Sequence, residues 1–194
     1  MIRELDLTAL AFAAGRGDHD ALTDLIRATQ RDVRYFLTSL AAAADAEDLA
    51  QETYLRAVRA LPQFAGRSSV RTWLFSIARR VAADHVRQST RRPRLATLPD
   101  WQATAEAADA STSPRFDEHQ ALTDLLAGLL PERREAFVAT QIVGMSYAEA
   151  AQICDCPIGT IRSRVARARE DLIAAMDERP ASSRPRPQPQ SIAS

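Results

Sequence analysis

Four arginines, Arg162, Arg164, Arg167 and Arg169, stand within eight residues that contain no acid. Guanidinium groups at that density suit phosphate oxygens and the two acceptors on a guanine edge. Ile161, Val165, Ala168 and Leu172 fall at i, i+4, i+7 and i+11, which is one narrow helical face. The arginines lie off that stripe. A helix there buries one side and offers cations on the rest. A merely solvated surface helix would usually balance Arg with Glu at i±4, so the chemistry indicated is nucleic-acid binding.

The residues before it supply a way to position such a helix. Ser146 to Glu170, SYAEAAQICDCPIGTIRSRVARARE, reads as a short helix, a tight turn and a longer basic helix. Two helices joined so form a DNA-reading unit. Ala151 is small where the first helix must approach the second. Asp155 stands in the turn, and Asp tolerates a left-handed backbone better than most non-glycine residues. Pro157 fits a helix start.

Two upstream helices carry polar stripes of a different kind. In DAEDLAQETYLRAVRAL, Asp45 to Leu61, one face holds Asp48, Gln51, Glu52, Leu55 and Arg59. The other holds Leu49, Ala50, Thr53, Tyr54, Ala57 and Leu61 and reads as core. The polar face with Leu55 at its middle is either a protein-docking stripe or an ordinary solvated surface. In SSVRTWLFSIARRVAADHVRQ, the core side is Val70, Trp73, Leu74, Ile77 and Val81. Thr72, Ser76, Arg79, Arg80, Ala83 and Arg87 are expected to face outward, a set suited to a nucleic-acid backbone and bases. The polar loop between these helices, Pro62 to Ser69, could hold an unstacked base. Trp73 could serve as a stacking platform, although its position on the apolar stripe favours the core.

Composition frames these segments. The chain has 194 residues, 46% hydrophobic and 26% charged, with zero net charge. The charge is segregated: Arg67 to Arg94 holds eight arginines against Asp84 alone, and Asp100 to Glu118 holds five acids against Arg115 alone. Salt screens charges beyond about 8–10 Å, so the local balance decides what a phosphate meets. Every basic residue is arginine. Cys154 and Cys156, one residue apart, are poorly placed for a mutual disulfide, and a small apolar structural role is expected. Phosphate-loop and metal-ligand patterns are absent, no nucleophile has an evident base, and His19, His85 and His119 stand singly. An enzyme is therefore not expected, nor a cofactor or metal. No stretch approaches the roughly 18 apolar residues of a membrane span, and the N-terminal LTALAFAA follows a net negative segment where a secretory signal wants a positive one. No membrane insertion and a cytoplasmic location are expected.

The fold class predicted is all-α: two small helical bundles joined by a flexible linker, the second containing the helix-turn-helix. A first helix spans about Asp6 to Ala14 and stops at Gly15-Arg16-Gly17. Asp18 caps a long helix with the stripe Leu22, Leu25, Ile26, Val33, Phe36, Leu37 and Leu40. Asp45 caps the third helix, and Ser68 or Ser69 the fourth. Residues 91–117 lose periodicity and hold Pro93, Pro99, Pro114 and the unexplained Trp101, so they read as the linker. The second bundle runs over 118–177. Its first apolar face is Leu122, Leu125, Leu126, Leu129 and Leu130, and Pro131 opens the next helix. The proline-rich residues 178–194 read as a disordered tail.

DAEDLAQETYLRA followed by FAGRSSVRTWLFSIARRVAADHVR resembles domain 2 of the bacterial extracytoplasmic-function (ECF) sigma factors. LLPERREAFVATQIVGMSYAEAAQICDCPIGTIRSRVARARE resembles their domain 4. The resemblance covers Asp6 to Asp177, in order. It implies that Asp48, Gln51, Glu52 and Leu55 bind the clamp helices of the RNA polymerase β′ subunit. Phe64, Arg67, Ser68, Thr72, Ser76, Arg79, Arg80, Ala83 and Arg87 would read and hold the melted −10 promoter element. Thr160, Arg162, Ser163, Arg164 and Arg167 would contact the −35 element, with domain 4 on the β flap. Residues 1–90 would be domain 2, and an anti-sigma factor is a further candidate partner. Arg80 stands where the family commonly has Asn, and Asp155 and Pro157 replace the commoner Gly and Ser of the turn.

Two rival readings differ in what they predict. A stand-alone helix-turn-helix regulator would bind palindromic duplex DNA without polymerase, and the Asp45–Leu61 segment speaks against it. An interaction module or anti-sigma antagonist would need no unbalanced arginines. An acidic segment between two basic surfaces also suggests that the two bundles of the free chain pack together and hide their DNA faces.

Overall fold

The computed structural model describes residues 4–91 and 124–177. Most of the expected linker with Trp101, His119, Leu122 and the tail lie outside the described residues. Every regular element among the described residues is helical. α1 is Glu4–Gly15, α2 His19–Leu40, α3 Ala46–Ala60 and α4 Val70–Arg91, with a 3-10 turn Leu61–Gln63 after α3. After the break come α5, Pro131–Phe137, then a π-helical turn Val138–Ile142, α6, Tyr147–Cys154, and α7, Ile158–Asp177.

Local chemistry explains several boundaries. Gly17 at φ 98 takes the chain out of α1. Asp18 then caps α2 as expected, its Oδ1 accepting from the Ala21 N–H at 3.0 Å. Ser69 caps α4, its hydroxyl accepting from the Thr72 N–H at 3.0 Å. Pro131 occupies the first turn of α5. Asp45 does not cap α3. Its backbone is already helical (φ −87, ψ −11), so its side chain is misplaced for a cap and lies 3.1 Å from His85 Nε2.

α1 to α4 form the first helical part, and α5 to α7 the second. Val33, Phe36 and Leu37 of α2, Leu49, Ala50 and Ala57 of α3, and Leu74, Phe75 and Val81 of α4 bury in one cluster. Phe36 and Phe75 meet at 5.0 Å between ring centres. Burying each of the Val, Leu and Phe side chains contributes about 1.5–3 kcal/mol. The same cluster continues without a break through Ala136, Val138, Val143, Met145, Ile153, Ile161 and Val165 of the second part. The two parts therefore share one core, with α4 against α6 and α2 against α5.

That packing changes two expectations. α4 has no single core side: Thr72, Phe75, Ala78 and Ala82 are buried along with Val70, Leu74 and Val81, while Trp73 and Ile77 are only partly so. Thr72, expected outward, is buried because α6 covers it. In the segment before α5, Leu129 is buried but Leu130 is exposed, extended as a residue before proline must be.

Candidate nucleic-acid interface

The helix-turn-helix is built by α6, its turn and α7. Ser146 and Glu149 form a reciprocal cap at the start of α6, the Ser146 hydroxyl accepting from the Glu149 N–H and the Glu149 carboxylate accepting from the Ser146 N–H. Asp155 ends α6 in the left-handed region, φ 52 and ψ 51. It is the one non-glycine residue with positive φ among the described residues. Its N–H donates to the Ala151 carbonyl, as does that of Cys156 at 3.1 Å. Pro157 lies just before α7 and accepts from the Thr160 N–H at 2.9 Å.

On α7, Ile161, Val165 and Ala168 are buried as the stripe predicts. Arg162, Ser163, Arg167 and Arg169 are exposed, and Thr160 and Arg164 half-buried. Arg162 and Arg167 form no ion pair with any described residue. Arg169 donates to Gln141 Oε1 at 2.7 Å, and Arg164 Nη1 stands 3.8 Å from Cys156 Sγ. Arg133 of α5 reaches Asp171 at 2.6 Å and braces the far end of the helix.

The second group of candidate residues is placed differently. In the loop after α3, Arg67 is exposed and Ser68 half-buried. Phe64 is only 8% exposed, packed between Phe12 and Trp73. Along α4, Arg80 and Arg87 are exposed, and Ser76, Arg79 and Ala83 half-buried. Arg87 pairs with Asp84, which also receives Arg56 at 2.8 Å.

The second helical part lies on this face. Arg79 donates to Glu135 Oε1 at 2.6 Å, and Glu135 is buried. Burial alone would lower the Arg79 pKa, but the Glu135 charge and hydrogen bond raise it above the ordinary value. Glu149 Oε1 accepts from Ser69 Oγ at 3.1 Å and Thr72 Oγ1 at 3.4 Å. Burial would raise the Glu149 pKa, yet the bonds from Ser146, Ser69 and Thr72 hold it below the usual carboxylate range. Arg71 donates to the Val143 carbonyl at 2.6 Å and to Asp32 at 2.8 Å, and Arg134 to the Ser39 carbonyl at 2.8 Å. Glu135, Glu149, Arg71 and Arg134 were not among the expected site residues. Only Glu149 carries a local signal, the Ser-x-x-Glu spacing from Ser146.

The α3 stripe is uncovered. Asp48, Gln51 and Leu55 are exposed, Leu55 by 54%, with Val58 beside it at 39%. Glu52 is half-buried and accepts from Arg56 at 2.7 Å.

Both cysteines are free. Burial pushes the Cys154 thiol up to about 12, with Glu135 adding to the shift and Arg79 opposing it. Cys156 is half-buried at the turn. At neutral pH, iodoacetamide is therefore expected to alkylate Cys156 more than about tenfold faster than Cys154, because the thiolate is the nucleophile. Mass spectrometry of a labelling time course checks this, and equal rates would contradict the buried setting of Cys154.

Among the described residues, no group of three or more His, Cys, Asp or Glu side chains is placed to hold a metal. No described helix is long and apolar enough to cross a membrane.

Comparison with known proteins agrees with this architecture. Residues 25–92 match the family described as Sigma-70 region 2, and residues 119–172 match Sigma-70, region 4. The chain is 47% identical over 169 residues to the ECF RNA polymerase sigma factor SigC of Mycobacterium tuberculosis (strain CDC 1551 / Oshkosh), covering 87% of this chain and 90% of that protein. It is 32% identical over 184 residues to the ECF RNA polymerase sigma-E factor of Haemophilus influenzae, covering 88% and 95%. Among solved structures, it resembles CnrH in complex with the cytosolic domain of CnrY, with TM-score 0.65, 27% identity, and 89% and 97% coverage. It also resembles the sigma factor RpoE in complex with the anti-sigma factor NepR from Bartonella quintana, with TM-score 0.63, 27% identity, and 81% and 98% coverage.

Two helical parts of this kind, the second ending in a helix-turn-helix, define a promoter-recognition subunit of the sigma-70 type. The chain belongs to the extracytoplasmic-function sigma factors of the sigma-70 family. It directs RNA polymerase to promoters for transcription initiation, and the family, which binds core polymerase and promoter DNA, is non-enzymatic.

Proposed function

We propose a division of this work among the faces just described, in the cytoplasm. Residues 1–90 bind core polymerase through Asp48, Gln51, Glu52 and Leu55, on the β′ clamp helices. The same part holds the melted −10 element with the loop Phe64 to Ser69 and with Thr72, Ser76, Arg79, Arg80, Ala83 and Arg87. Residues 91–117 link it to residues 118–177, which sit on the β flap and read −35 with Thr160, Arg162, Ser163, Arg164 and Arg167; residues 178–194 are a tail. Opening is driven by capture of unstacked bases.

The observation that carries this reading is the two-sided character of α7. Its apolar stripe is spent on the core, while Arg162 and Arg167 stand exposed and unpaired among the described residues. Run-off transcription with core polymerase on candidate promoters tests the whole assignment, and no protein-dependent transcript would retire it. Arg162→Ala and Arg167→Ala are each expected to weaken −35 duplex binding by about 1–3 kcal/mol where the side chain reads a base. A phosphate contact would instead weaken all sequences evenly. Neither change should alter the affinity for core polymerase, as measured by titration of the labelled chain.

In the packed arrangement, Thr72 and Arg79 are engaged by Glu149 and Glu135, so −10 binding requires the two parts to separate. An anti-sigma protein is a further partner under this reading, because RpoE, which the chain resembles, was solved with one.

A further inference from the structure

The foot of the loop after α3 stands on a second, smaller cluster of Leu7, Ala11, Leu25, Leu61, Phe64 and Val70, which meets the shared core at Trp73. Two of these, Leu7 and Ala11, come from α1, which lies before residue 25, where the Sigma-70 region 2 match begins.

The contact between α1 and the loop is close. A Cβ on Gly15 would lie 2.8 Å from the Leu61 carbonyl oxygen, so glycine lets the end of α1 seat on the 3-10 turn. The Phe12 ring stands 5.5 Å from that of Phe64, which stands 5.1 Å from Trp73. Gly66 turns the loop at φ +67, and a Cβ there would meet Phe12 Cζ at 3.1 Å. Phe12 is therefore wedged between the buried foot of the loop, Phe64, and its turn, Gly66. Phe12 itself is 39% exposed.

We propose that Phe12 is a positioning residue for promoter opening. It presses on Phe64 and Gly66 and so holds Arg67 and Ser68 in the conformation that captures a melted −10 base. This rests on the reading of that loop as the −10 contact. The polymerase stripe on α3 and the basic face of α7 are anchored in the larger cluster, through Leu49, Ala57, Ile161 and Val165. A defect at Phe12 should therefore stay local.

The test uses holoenzyme assembled from core polymerase and the full chain, on a promoter found by run-off transcription. Three quantities are read: −10 opening by a fluorescent base analogue, affinity for core polymerase, and retention of −35 duplex. Phe12→Ala is expected to lower opening about fivefold, the size of one aromatic pair, and to leave the other two within about twofold. Phe12→Tyr, which keeps the ring and can place its hydroxyl in water, is expected to restore opening. Normal opening with Phe12→Ala, an equal loss of all three quantities, or failure of Phe12→Tyr to restore opening would each overturn the proposal. Arg67→Ala separates the two levels. If it leaves opening intact, the −10 reading of the loop fails and the role of Phe12 with it. If it weakens opening while Phe12→Ala does not, only the role of Phe12 fails.

Discussion

Asp48→Arg is expected to weaken binding to core RNA polymerase by about 100-fold or more while leaving the chain folded. Asp48 is exposed in the first turn of α3 and packs into no core. If Asp48 meets the clamp helices as proposed, a cation there costs several kcal/mol through like-charge contact. Folding loses much less. Removing an acid from a helix N-terminus costs about 0.3–1 kcal/mol, and other surface changes stay near 0.5 kcal/mol. Fluorescence anisotropy of the labelled chain with core polymerase, beside a thermal melt, separates the two effects. Undiminished binding would make the stripe a plain solvated surface. A collapse of the melt would mean that Asp48 supports the fold.

Glu135→Ala is expected to loosen the two helical parts and to raise the affinity of the free chain for single-stranded −10 DNA by about tenfold. Glu135 is almost wholly enclosed, its side chain 8% exposed, and its partner Arg79 is 37% exposed. Breaking a fully buried pair costs about 3–5 kcal/mol because the surviving charge is stranded. Arg79 keeps partial access to water, so a cost of about 1–2 kcal/mol is the better figure here. That is about one factor of ten between closed and open forms. Loosening is read by amide hydrogen exchange along α4 and α6, because the Cys154 thiol is itself shifted by Glu135 and would respond to the substitution directly. Faster exchange without tighter DNA binding would show that the covered face of α4 is not the DNA site.

The residues divide clearly into those whose surroundings are local and those whose surroundings arrive from far along the chain. The Asp18 cap, the left-handed Asp155, the stripe Ile161–Val165–Ala168 and the buried side of α3 all follow from neighbours within a turn or two. Periodicity and turn chemistry therefore reveal them. Thr72 and Arg79 do not follow, because a polar helical face looks the same whether it meets water or a well-matched polar partner. Their partners, Glu149 and Glu135, lie 77 and 56 residues away. The same reason hides Phe75, Ala78 and Ala82: α4 is enclosed from two sides, and a single stripe describes only one of them. Asp45 misleads for a smaller cause, a preceding 3-10 turn that had already spent the extended backbone a cap requires. Of the two proposed DNA faces, the one on α7 is legible as a surface. The one on α4 was legible as chemistry but not as something covered.

The covering of α4 bears on how the protein is counted in a cell. A chromosome offers on the order of 10⁶–10⁹ nonspecific sites, and each bare cation that reaches a phosphate tightens binding by releasing counterions. Sites in that excess hold a constant fraction of the chains, and bare basic faces enlarge that fraction. With Arg79 held by Glu135, and Arg71 held by Asp32 and the Val143 carbonyl, two cations of α4 are withdrawn from random DNA, while Arg67, Arg80 and, on α7, Arg162, Arg167 and Arg169 stay exposed. A larger fraction of the chains made is then free to meet polymerase, at every level of synthesis.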